Sequence, residues 1–147
     1  MKKAHYILVM CLLLCACSVK KENVSHDIEP FLNKYFTSWS NNNMQVYSSL
    51  FHEKAVIIYI KNGTINKKQN LNTFVKGQST YLAKEVGNVR ETMTSFTAKE
   101  DKKSASVVVK WLFEEKGHPP ETGIDHFLLI RNKEKQWKIA SLVWYKD

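Results

Sequence analysis

Beyond residue 17 the sequence has no cysteine; the three it carries are Cys11, Cys15 and Cys17. A disulfide within the folded part and a cysteine-ligated metal are thereby excluded, and stability has to come from packing. Long apolar runs are missing too. The longest, Ile7 to Ala16, has ten residues, about half of the roughly 20 that a membrane-spanning helix needs. With three prolines and five glycines there is no Pro/Ser-rich stalk, no glycine-rich phosphate loop and no Gly-x-Ser-x-Gly elbow, which argues against nucleotide binding and serine hydrolysis. His26, His52, His118 and His126 form no His-x-His or His-Glu-x-x-His spacing, so no metal is expected. No cofactor is expected either.

The formal net charge is +8, yet the lysines fall in pairs, Lys20-Lys21, Lys67-Lys68 and Lys102-Lys103, near turns and without interleaved aromatics. A nucleic-acid groove gathers them on one face beside stacking rings. Solvated loop tips, or mild attraction to anionic lipid headgroups, account for them better, and no nucleic-acid partner is expected.

What is present begins at the N-terminus. Lys2 and Lys3 precede the apolar run, and small Ala16 precedes Cys17, the order of a secretion signal. Leu14-Cys15-Ala16-Cys17 resembles the lipobox of bacterial lipoproteins, which implies removal of residues 1–16 as a signal peptide and acylation of Cys17. Ordinary cleavage with a free Cys17, or an uncleaved apolar tail, are the competing readings. More than one acyl chain makes a stable anchor. Ser18 is not an acidic retention residue, so the resemblance implies the outer membrane, on its periplasmic face, in a two-membrane cell and the outer face of the plasma membrane otherwise. Residues 17–26 then form a short lipidated tether, and 27–147 are enough for one domain with a core.

Within that domain, Asp27 is placed to cap a helix whose first turn tolerates Pro30. Ile28, Phe31, Leu32, Tyr35, Phe36 and Trp39 share one of its faces. Asn41 to Asn43 end it and cap a second, shorter helix with Met44, Tyr47, Leu50 and Phe51. The β-branched run Ala55 to Ile60 and the Asn62-Gly63 turn predict a hairpin with Thr64 to Asn66. Asn70 caps a third helix that Gly87 ends. Three or four strands follow, with turns at 99–103, 117–121 and 132–135. In 104–114, Val107, Val109, Trp111 and Phe113 point one way and Val108, Leu112 and Glu114 the other.

This order, with Trp39-Ser40-Asn41-Asn42-Asn43, Tyr47-Ser48-Ser49-Leu50-Phe51 and the closing Gln136-Trp137-Lys138-Ile139-Ala140-Ser141, resembles the nuclear-transport-factor-2-like superfamily, which includes SnoaL-like polyketide cyclases and ketosteroid isomerases. The resemblance covers roughly 27–145. It implies an α+β fold: a cone-shaped, strongly bent antiparallel sheet wrapped around N-terminal helices, with a pocket inside. A scaffold of this kind carries many functions.

Pairing the last two strands across 132–135 sets Arg131 against Gln136 and His126 against Ser141. Ile124, His126, Leu128 and Ile130 then share the interior with Trp137, Ile139, Ser141, Val143 and Tyr145. On that reading the pocket candidates are Trp39, Tyr59, Trp111, His126 and Ser141, with Tyr35 and Tyr81 as further walls. His126 is the one weak catalytic candidate, able to act as acid or base or simply to sit as a buried neutral imidazole. Asp125 falls outside, and Glu91 enters only if its strand register turns it inward. The outer face carries Val108, Leu112, Phe127, Leu129, Ala140, Leu142 and Trp144, apolar enough to suggest a homodimer. Three functions stay open: an anchored module binding a small, mostly apolar ligand or a protein partner; a cyclase, isomerase or dehydratase using His126; and a structural envelope protein with a filled cone. The missing inward carboxylate favours the first and third, so an enzyme is the lesser expectation.

Overall fold

The computed structural model describes residues 26–147; the signal-peptide, tether and Cys17 expectations lie outside the described residues, apart from His26. Three helices come with six strands: α1 (Ile28–Ser40), α2 (Met44–Ser49), β1 (Phe51–Lys61), β2 (Thr64–Asn70), α3 (Leu71–Lys84), β3 (Val89–Glu100), β4 (Ser104–Glu115), β5 (Glu121–Arg131) and β6 (Trp137–Lys146). The strands form one curved sheet in the order β2-β1-β6-β5-β4-β3. All neighbours are antiparallel except β1 and β6, which run parallel. The fold is α+β with a bent sheet around helices, as the sequence implied.

Local chemistry sets the boundaries. The side chain of Asn43 accepts the Val46 N–H, and that of Asn70 accepts the Thr73 N–H, so both asparagines satisfy amides that a helix start leaves unpaired. Asn62 and Gly63 both have positive φ, 52° and 72°, which a two-residue hairpin turn of this hand demands. Asp27 departs from its expected role: its carboxylate makes no cap bond. It accepts instead from Trp137 Nε1 at 3.1 Å and Arg131 at 3.1 Å.

Irregularities in pairing bend the sheet. Between Met93 and Ser95 of β3 the register shifts, and another shift on β6 leaves Ala140 without a partner opposite Leu128 and Leu129. An extra residue of this kind sharpens local twist and reverses which face the following residues occupy. The concave face holds one apolar cluster that includes Ile28, Leu32, Val107, Leu129, Ile139 and Leu142. α1 lies across it, so the helix buries Ile28, Leu32, Tyr35, Phe36, Ser38 and Trp39.

Two register features overturn the expected faces of β5 and β6. Arg131 pairs with Trp137, not Gln136, because the connection is one residue longer than assumed and turns at Lys135 with φ 60°. That single slip inverts the whole of β5: Asp125, Phe127 and Leu129 are buried, while His126 and Leu128 are exposed. On β6 Trp137 and Ile139 do point inward, and past Ala140 the phase flips, so Leu142 is buried and Ser141 stands opposite Leu128 on the outer face. Phe127, Leu129, Leu142 and Trp144 therefore leave the expected outer list, and Val108 and Leu112 remain on it.

Candidate functional site

One end of the concave face does not fill. A cavity of about 390 Å³ is bounded by Tyr35 and Trp39 of α1, Tyr47 of α2, Phe74, Gln78 and Tyr81 of α3, and inward residues of β3 to β6, a volume within the range of small-molecule sites. Trp111 and Phe113 line it without closing it, and Trp137 packs at the other end of the sheet beside Asp27 and Arg131.

The aromatic wall is built by ring-on-ring contact. Trp39 stacks on Tyr81 at 6.4 Å and meets Phe113 edge-on at 6.2 Å, and its Nε1 donates to Gln78 Oε1 at 2.7 Å. Tyr35 packs against Phe36, Tyr47 and Phe127 with centroids near 5 Å. The hydroxyls of Tyr35 and Tyr47 share a 3.0 Å hydrogen bond. Burial raises both phenols well above their usual range, helped by the carboxylates nearby, so they stay protonated at any pH the protein meets.

Two carboxyl groups, Asp125 and Glu91, form the floor of this cavity, and Glu115 stands at its rim. Asp125 is 4% exposed and accepts from Trp111 Nε1 at 3.0 Å. The indole reaches it because its cross-strand partner is Gly123: a Cβ there would lie 2.1 Å from the Trp111 ring and 2.3 Å from the Tyr145 carbonyl oxygen. Glu91 is held differently. Ser40, at the end of α1, accepts the Glu91 N–H at 2.9 Å and donates to its carbonyl at 3.1 Å, which fixes the first turn of β3 against the helix and sets Glu91 inward. Its carboxyl makes no hydrogen bond to a described residue. Desolvation pushes Asp125 up to about 7, and it raises Glu91 well above the carboxylate range, with Asp125 adding to the rise and Lys146 opposing it. Desolvation and mutual repulsion both favour the protonated form of these two carboxyls.

The rim carries Lys146, paired with Glu121, together with Glu115 and Tyr81. Burial, followed by Glu115, pushes the Tyr81 phenol up to about 12. Among the described residues no group of three or more histidine, aspartate and glutamate side chains converges as a metal-ligand set.

Of the residues expected at the pocket, Trp39 and Trp111 line it, as do Tyr35 and Tyr81. Tyr59 stands one strand away, stacked on the lining residue Trp144 at 4.1 Å. His126 and Ser141 lie on the opposite face of the sheet, where the imidazole stacks on Tyr145 at 5.9 Å. Sequence reasoning missed Asp125 and Tyr47 and left Glu91 open. The signal for Asp125 was Gly123 two residues earlier, facing the bulky Trp111 across the strands.

Comparison with known proteins gives a family and a fold. A family model described as "Putative lumazine-binding" matches residues 23–145. No curated protein matches the chain. Among solved structures, an NTF-2 like protein of unknown function from Shewanella oneidensis is similar at 18% identity and TM-score 0.63, over 81% of this chain and 96% of that one. A protein titled "Putative Scytalone Dehydratase" from Novosphingobium aromaticivorans is similar at 15% identity and TM-score 0.67, over 82% and 81%. One titled "putative ketosteroid isomerase" from Shewanella frigidimarina is similar at 11% identity and TM-score 0.63, over 78% and 91%. The chain belongs to the lumazine-binding-like family, and its domain has the nuclear-transport-factor-2-like fold.

Proposed function

We propose that this chain is a lipid-anchored protein of the bacterial envelope whose cone binds a small, largely apolar and flat molecule. The observation that carries the reading is the unfilled cavity, walled by Trp39, Tyr81, Phe113 and Trp144 and given a polar floor by Asp125, Glu91 and the Tyr35 hydroxyl. Apolar walls supply affinity and a few convergent polar groups fix orientation. The anchor is supported by the Leu14-Cys15-Ala16-Cys17 order. Native mass spectrometry of the protein isolated from its own host membranes tests both parts. A retained small molecule and an acylated Cys17 are the expected masses; an unmodified Cys17 refutes the anchor. An apolar fluorescent dye that fails to bind, or binds equally after Trp39→Ala, refutes the pocket.

A second reading, acid–base catalysis in the same cavity, is favoured by the carboxyl pair, Asp125 buried and Glu91 half-buried, and not by His126, which faces away. A carboxylate in an apolar site is a strong base, and a neutral carboxylic acid beside it can donate a proton or a hydrogen bond. Proton abstraction from nitrobenzisoxazole, lost in Asp125→Asn, is the expected result; a rate no faster than buffer ends this reading.

The homodimer proposal now rests on a different residue set. Val108, His126 and Val143 form one cross-strand row on the outer face with Ile58 beside them, and Leu128 is 42% exposed. Sedimentation of the wild type as a dimer, and of Leu128→Glu as a monomer, is the expected pair of results.

A further inference from the structure

Reading the cavity as a ligand site leaves the nature of the ligand open, and the placement of charge inside it narrows the choice. The groups that face the cavity are the carboxyls Glu91, Glu115 and Asp125, the phenols Tyr35, Tyr47 and Tyr81, the amide Gln78 and the ammonium of Lys146. Lys146 is already engaged by Glu121. Gln78 spends its oxygen on Trp39. Asp125 accepts at one oxygen from Trp111, and no described residue donates to its other oxygen or to the Glu91 carboxyl. The floor of the site thus presents carboxyl oxygens of Asp125 and Glu91 that no described residue caps, while the Gln78 N–H groups and the Tyr81 hydroxyl stand on the α3 wall and the remaining walls are aromatic faces.

Electron-rich ring faces and unshared carboxylate oxygens have one kind of complement. A flat cation meets the rings through its positive face and the carboxylates through its N–H edge. An anion would instead meet like charge as soon as either carboxyl ionises. We propose that the cavity selects a flat organic cation with at least two N–H donors, an amidinium or a protonated aminoheterocycle, whose N–H edge meets Asp125 and Glu91 while its ring lies among Trp39, Phe113 and Trp144.

This selectivity has a proton signature. The carboxyl pair retains protons in the empty site because desolvation disfavours its charge. An arriving cation reverses that preference, so the protons leave as it binds. Cation affinity therefore increases with pH through neutrality, whereas a neutral isostere is indifferent.

The test uses full-length protein and three probes of one shape: para-aminobenzamidine, para-aminobenzamide and para-aminobenzoate. At about pH 8 the amidine is expected to bind roughly tenfold or more tightly than the amide, the gain of charge-assisted over neutral hydrogen bonds, with the benzoate weakest. Its preference should shrink at about pH 6, and calorimetry in buffers of different ionisation enthalpy should register proton release. In a protein carrying both Glu91→Gln and Asp125→Asn, the preference for the amidine over the amide falls to about one, the amide reporting in the same protein that the site persists. An amidine that binds no better than the amide, or whose preference survives the double substitution, overturns the inference with the dye site intact. Loss of the dye as well as all three probes in the wild type removes the ligand site itself, and the inference with it.

Discussion

Both ends of α1 meet a cluster of charged groups, and the two clusters are handled in opposite ways. At the N-terminal end Arg131 lies 3.9 Å over the Trp137 ring, pairs with Asp27 at 3.1 Å and Glu100 at 3.2 Å, and donates to the Lys135 carbonyl at 2.9 Å. Charge there is matched by charge, and the cluster ties the start of α1 to β3, β5 and β6. At the C-terminal end Asp125 and Glu91 face a cavity without a matching cation of their own. A fold that places an arginine between two carboxylates at one end has the means to neutralise charge. Leaving the other pair unmatched costs stability, and such a cost is characteristic of sites that bind or react.

The largest expected effect that sharpens this contrast is in the pH dependence of stability. Asp125 goes from an ordinary carboxylate value of 3.8 to about 7 on burial. The folded state therefore holds more protons than the unfolded state between those values, so stability falls as pH rises through this window and the penalty is complete above it. For Asp125 alone this amounts to something on the order of 4 kcal/mol, at about 1.4 kcal/mol per pKa unit. Asp125→Asn should flatten most of the slope in urea-melt stability between pH 4 and pH 8 and leave a residue due to Glu91. A wild-type slope of the opposite sign breaks the comparison, since it would mean the cavity carboxyls are as well matched as those around Arg131.

Next in size is Gly123→Ala. The new Cβ collides with the Trp111 ring and with a backbone carbonyl, and only the ring can give way. A loss of about 3 kcal/mol is expected from overpacking of this kind, together with loss of dye binding as the indole leaves Asp125. Arg131→Met should follow, with about 2 kcal/mol lost as the pairings to Asp27 and to the 11% exposed Glu100 side chain go together with the cation–ring contact on Trp137. Dye binding should survive Arg131→Met. If both substitutions abolish it, the two ends are not separable.

The elements of this fold were legible because local chemistry states them. The 28–39 apolar stripe, the Asn43 and Asn70 caps and the Asn62-Gly63 turn all act within a few residues, and each appears where the sequence puts it. The faces of β5 and β6 were not legible. In β5 both alternating sets are apolar, Ile124, Leu128 and Ile130 against Phe127 and Leu129, so period two offers no contrast by which to choose a side. The choice then hung on a loop whose length is fixed by the positive φ of Lys135 and on the extra residue Ala140, neither of which composition reveals. His126 was set inside and Asp125 outside for that reason alone. The aromatic walls Trp39 and Trp111 escaped the error because they lie on α1 and β4, where the burial pattern is unambiguous.

The smallest expected effect compares one hydrogen bond at each end. Tyr35→Phe removes the 3.0 Å bond to Tyr47, and Trp137→Phe removes the 3.1 Å bond to Asp27. Counted as bonds they are equal, worth about 1 kcal/mol each. They differ in what the abandoned partner can do. Tyr47 is 1% exposed, so its hydroxyl loses a buried partner and Tyr35→Phe should cost about 1.5 kcal/mol. Asp27 is half-exposed and still accepts from Arg131 after Trp137→Phe, so that substitution, which also trims the indole under the guanidinium, should cost about 1 kcal/mol. Equal losses in paired urea melts would mean that water entering from the cavity satisfies the Tyr47 hydroxyl as readily as solvent satisfies Asp27, and a hydroxyl that water can reach in this way is one that the polar edge of a ligand can reach too.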